Sequence, residues 1–129
     1  MSKPPLDVEV HRLVDHYTGF EGHPAYCFVV VSSDGKQVFR MWEGWFDAMM
    51  EQVSFRPPSW TSLALPYHTD EGWFIHSPWR LHDVQAAITQ LQAAYRKLQP
   101  GESKNITHQL IEFLAAGLRA GHDVFIEYD

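Results

Sequence analysis

Eight histidines and one cysteine are the residues of this chain whose types first suggest chemistry, and their spacing limits what they could do. A zinc site on a single helix needs two imidazoles four residues apart, so that both leave the same face. Here His11 and His16 are five apart, which on a strand sends them to opposite faces, His76 and His82 are six apart, and His108 and His122 stand alone. No metal and no other cofactor is expected, and the histidines read as surface or packing residues. Cys27 lies in Ala-Tyr-Cys-Phe-Val-Val-Val, whose apolar neighbours predict burial and an inert thiol. A single cysteine cannot form an internal disulfide, which agrees with a reducing compartment. Ser32, Ser33, Ser59 and Ser62 lie in turn or strand contexts without a Gly-x-Ser-x-Gly elbow. Gly19 and Gly22, bracketed by Phe20, Glu21 and His23, match neither a P-loop nor a dinucleotide fingerprint.

Carboxylates and indoles offer more. His68, Asp70 and Glu71 beside Trp73 could form an acid and base pair in a cleft, although adjacent acids in loops are more often solvated surface. A second pattern is the repeated order of acid, glycine and tryptophan in Trp42-Glu43-Gly44-Trp45 and in Asp70-Glu71-Gly72-Trp73. A glycine beside a large ring would let the ring protrude at a turn, next to a negative charge. Residues 39–79 hold all five tryptophans, with Glu43, Asp47, Glu51, Asp70 and Glu71 threaded among them. Much of the core must come from this stretch. A surface that grips a basic protein needs rings and acids together, because aromatic anchors supply affinity while charge steers the encounter. The candidate partner-binding set is therefore Trp42, Glu43, Trp45, Asp70, Glu71 and Trp73, and no residue is assigned to catalysis.

The formal net charge of −6 points the same way. Phosphate backbones and anionic membranes need clustered Lys and Arg, so a nucleic acid or a membrane surface is a poor partner and a basic protein a better one. Acidification through the unperturbed histidine pKa of about 6.5 would erase most of that charge and weaken electrostatic binding. The N-terminal Met-Ser-Lys-Pro-Pro lacks an apolar leader and no run approaches a membrane span, so cytoplasmic residence is expected. With 45% hydrophobic and 20% charged residues, the 129 residues fit one globular domain, 1–129.

The elements that must position these residues follow from periodicity and turn chemistry. Alternation predicts a half-wet strand over 6–17, and the Gly- and Pro-containing stretch 18–24 predicts a loop. The continuous apolar run 25–32 predicts a central strand, joined at Ser33-Asp34-Gly35 to a partner over 36–41. Phe46, Met49, Met50 and Val53 at helical spacing predict a short helix, broken by the prolines of 55–58. Strands are expected over 59–65 and 73–76, with a loop over 66–72 between them. Ser77-Pro78 signals a helix start, with Asp83 as a rival cap, and an apolar stripe from Leu81 to Leu98 runs about 30 Å at 1.5 Å per residue. Ser103 or Asn105 would cap a second amphipathic helix ending at a left-handed Gly121, before a final strand over 123–128. Strands first and helices later give an α+β fold: an antiparallel or mixed β-sheet with two amphipathic C-terminal helices on one face, a two-layer sandwich.

Asp70-Glu71-Gly72-Trp73, Pro78-Trp79 leading to a helix with Val84, Ile88 and Leu91, and the ending from Leu110-Ile111-x-Phe113-Leu114 through Gly121-x-x-Val124-x-Ile126-Glu127 carry a resemblance. Over roughly its last sixty residues the chain resembles the immunity proteins of bacterial polymorphic-toxin and contact-dependent growth inhibition systems. The resemblance implies a small cytoplasmic binder that neutralises a cognate toxin domain, commonly a basic nuclease, by occluding it. Two other readings stay open: a small enzyme or ligand-binding domain using His68, Asp70 and Glu71, and a module that self-associates through a free edge strand.

Overall fold

The computed structural model describes residues 8–53 and 62–129. Among them lie β1 (Val10–His16), β2 (Ala25–Val31), β3 (Lys36–Trp42), α1 (Glu43–Met50), α2 (Ala64–Thr69), a 3-10 turn (Gly72–Phe74), β4 (Trp79–Arg80), α3 (Val84–Lys97), α4 (Glu102–Arg119) and β5 (Asp123–Tyr128). The fold is α+β, a five-stranded mixed sheet in the order β1-β3-β2-β5-β4 with the two C-terminal helices packed on one face. No described helix is long and apolar enough to cross a membrane.

The hairpin of β2 and β3 closes where the Ser32 amide donates to the Gly35 carbonyl at 2.8 Å and the Ser32 hydroxyl to Asp34 Oδ1 at 2.8 Å. β1 pairs with β3 in parallel, with a bulge between Val10 and Arg12, and β5 returns antiparallel to β2 and carries β4 on its outer side. Because side chains alternate across a strand, Tyr26, Phe28, Val30, Phe39, Met41, Val124 and Ile126 all leave the helix-facing side and join one buried cluster. Onto them α1 lowers Phe46, Met49 and Met50, α3 lowers Val84, Ala87, Ile88, Leu91 and Ala94, and α4 lowers Ile106, Leu110, Phe113 and Leu114. The spacing of three and four predicted for both long helices is the spacing that is buried. Gly121 takes the left-handed conformation expected of it, at φ +72°.

Five expectations are corrected. The described end of the expected strand 59–65 enters helix α2 instead, and residues 59–61, like the proline break at 55–58, lie outside the described residues. Pro66 stands in the first turn of α2, where its missing amide is no loss. Gln90 of α3 offers its side-chain oxygen to the amides of Leu63 and Ala64, each at 3.1 Å, and so caps α2 from across the core. The expected strand 73–76 is the 3-10 turn, and the expected loop 66–72 is helical through Thr69. Ser77-Pro78 does not start a helix: its peptide bond is cis and it leads into β4, while Asp83 caps α3 by accepting from the Ala86 amide at 2.9 Å. α4 begins at Glu102 after Gly101, ahead of both Ser103 and Asn105.

Candidate functional site

At one end of the sheet β3 runs directly into α1, so Trp42 ends a strand and Glu43, Gly44 and Trp45 form the first helical turn. Three rings gather there. Phe20, from the loop before β2, stacks on Trp42 with centroids 4.3 Å apart and planes 4° from parallel, and Trp45 meets both edge-on, at 5.3 Å from Trp42 and 5.8 Å from Phe20. All three are half-buried, and His23 approaches Trp42 edge-on from the same loop. Gly44 has a different role from the one its motif suggests. The Trp42 ring folds back over it and would collide with any Cβ there, so the glycine lets the indole lie down on the helix start instead of standing away from it.

The loop that brings Phe20 is held by its own polar groups. Asp15 accepts from the Tyr17 and Thr18 amides at 2.8 and 3.2 Å and from the Thr18 hydroxyl, and these bonds hold its carboxyl below the ordinary value of 3.8. The Glu21 carboxylate accepts from the Gly19 amide at 3.1 Å, and the Tyr17 hydroxyl donates to the His23 carbonyl at 2.6 Å. Arg40 of β3 lies over the Tyr17 ring, 4.2 Å from its centroid. The rings are thus seated on a pre-formed loop.

On a different face of α1 from Trp45 runs an acidic stripe. Glu43 and Asp47 are one turn apart, Glu51 follows at the helix end, and the three are close enough for Glu43 and Glu51 to oppose ionisation of Asp47. Burial is the largest cause that raises the Asp47 carboxyl above 3.8, with those two acids adding to it and the Tyr67 hydroxyl, donating at 2.7 Å, working against it. Glu43 accepts from the Tyr128 hydroxyl at 2.8 Å, and burial together with that carboxylate pushes the Tyr128 phenol up to about 12. Each tyrosine fixes one carboxylate in place.

Of the six residues singled out in the sequence, Trp42, Glu43 and Trp45 are brought together and Asp70, Glu71 and Trp73 are not part of that group. Trp73 is 1% exposed, and its indole Nε1 donates to Tyr26 Oη at 3.0 Å in the middle of the core, so it presents nothing outward. Gly72 turns it inward: at φ +60° and with a Cβ position 2.7 Å from Pro66 Cβ, only glycine fits there. Asp70, in the left-handed conformation at the end of α2, and Glu71 are exposed. His68 accompanies neither acid into a site; it is half-buried against the Tyr67 ring, bonded to the Met50 backbone, and burial lowers its pKa. Trp60 lies outside the described residues. Burial pushes the Cys27 thiol up to about 11, which leaves it protonated and unreactive near neutrality. Among the described residues no three His, Cys, Asp or Glu side chains converge as a metal ion requires.

Sequence reasoning missed Phe20 and underweighted Asp47 and Glu51. The four-residue spacing of the three acids was there to be read once a helix was assigned, whereas Phe20 sits in an aperiodic loop that carries no signal of where its ring will land. Compared with known proteins, the chain has no significant match among family models, curated proteins or solved structures.

Proposed function

We propose that the protein acts by binding, as an acidic inhibitor held against a basic protein domain, and that the bound domain is a toxin that this chain neutralises in the manner of the immunity proteins it resembles. The observation that supports this reading is that one short helix, α1, carries the acidic stripe Glu43, Asp47 and Glu51 on one flank and, on another, Trp45 packed with Phe20 and Trp42. Three mutually repelling carboxylates are costly alone and become favourable when a partner's Lys or Arg inserts among them. The rings offer apolar area at the start of the same helix, and their seating on a pre-formed loop lowers the ordering cost of association. The charge of −6 steers a cationic partner toward the surface.

The test is titration of the purified protein against the basic domain encoded beside its gene. A stoichiometric complex at or below micromolar concentration is expected, weakened by Glu51→Lys and by Trp45→Ala with little change in melting temperature for the exposed Glu51 variant. Absence of any complex at micromolar concentration overturns the proposal, and a complex indifferent to Glu51→Lys removes the stripe from it.

A further inference from the structure

Between β1 and α4 the molecule has a feature of opposite character. β1 extends beyond the shelter of the helices, and between its helix-facing side and α4 opens a cleft of about 420 Å³. The size falls in the range of small-molecule sites. Its apolar surface comes from Val14, Phe39, Phe113 and Ala116, with Phe39 and Phe113 in ring contact at 5.5 Å. Two guanidinium groups, Arg12 from the strand and Arg119 from the last turn of the helix, also line it.

Neither guanidinium group has a hydrogen bond, ion pair or ring contact with any described residue. Arg119 has a partial reason for its position, since helix C-terminal carbonyls attract cations. Arg12 on the facing strand has none. The one carboxylate in the cleft, Glu112, stands 3.8 Å from His108, one turn before it on the same helix. Two permanent cations therefore face a cavity of mixed polarity, in which Gln37, His108 and Gln109 join the apolar wall and which contains one acid, in a chain whose formal charge is −6. The wall is also braced: the His16 ring bonds Gln109 Oε1 at 2.7 Å and packs on Phe39 at 5.3 Å, tying β1 to α4 across one end.

We propose that this cleft binds a small organic anion, an apolar body resting on Phe39, Phe113 and Val14 with its acidic group held between Arg12 and Arg119. A planar guanidinium fork suits a carboxylate or a phosphate monoester, and the rings suit a flat or aliphatic body. The site stands apart from the acidic ring surface and does not depend on the reading of that surface.

The test uses three probes on the full chain, followed by amide chemical shifts: 2-naphthoate, its uncharged analogue 2-naphthamide, and inorganic phosphate. Naphthoate should shift the amides of β1, β3 and α4 that line the cleft, and bind more tightly than either other probe. Arg12→Gln and Arg119→Gln should each weaken naphthoate by about tenfold, the scale of one charge-assisted hydrogen bond, and Glu112→Gln should strengthen it. Both arginines are exposed, so unchanged melting temperatures will show that the variants fold. Equal binding of naphthoate and naphthamide, binding of phosphate as tight as naphthoate, insensitivity to both arginine variants, shifts scattered away from the cleft, or no binding by any probe would each overturn the proposal.

Discussion

Trp73 shows how little a residue's type says about the direction it faces. Its motif matches that of Trp45, acid and glycine before an indole, yet one ring is half-buried at the rim and the other is sealed beneath it. The difference lies in backbone geometry that the letters do not display: Gly44 is helical under a folded-back ring, while Gly72 is left-handed against Pro66. Burial makes the indole N–H of Trp73 an obligation that Tyr26 Oη meets. Tyr26→Phe keeps the ring volume and deletes only the acceptor, so it should cost about 1–3 kcal/mol in urea unfolding, the penalty of one buried unpaired donor. A variant as stable as the parent would mean that the indole is satisfied in another way. Cys27, by contrast, was legible only in part: its neighbours announce a central strand, but the thiol is half-buried, on the face turned away from the helices.

Elements with a strong period were legible and short ones were not. Both long helices announce their buried stripes over several turns, and the hairpin of β2 and β3 announces its turn. The stretch 62–80 contains no element longer than six residues among those described, and there tertiary contacts override local preference. α2 is the clearest instance: an alternating pattern became a helix whose end is capped by Gln90, a residue 26 and 27 positions away from the amides it satisfies. Nothing within a local window could reveal that partner. Replacing Gln90 with Leu preserves an apolar fit but strips two amides of their acceptor, and a loss of about 2 kcal/mol or more is expected in chemical denaturation. If Gln90→Leu unfolds at the same denaturant concentration as the parent, the cap contributes nothing.

Across the whole molecule, charge was the most readable property and strand order the least. The excess of acids follows from composition, but that β1 lies beside β3, parallel and at the sheet edge, depends on a crossing connection that periodicity cannot encode. Two of the acids make opposite contributions to stability as pH changes. The Asp47 carboxyl is raised in the folded state, so its ionised form costs stability above that value, and the cost vanishes as pH falls through it toward 3.8. The Asp15 carboxyl is lowered, so it contributes stability above 3.8 that is lost as pH falls through the depressed value. Asp47→Asn should therefore melt higher than the parent at pH 7, with the gap closing in acid, whereas Asp15→Asn should melt lower at pH 7 and converge only at more acidic pH. Thermal melts of both variants from neutrality to about pH 3 check the pair of signs, and an Asp47→Asn variant that melts lower at pH 7 would show that burial does not dominate at that site.

β3 occupies the place between β1 and β2, although the chain makes β1 before either of them. Among the described strands β1 therefore has a single neighbour, β3, and that neighbour follows it in the chain. One wall of the arginine-lined cavity belongs to β1. A molecule lodged there would act as a latch across the one seam that holds β1 in the sheet, resisting its departure.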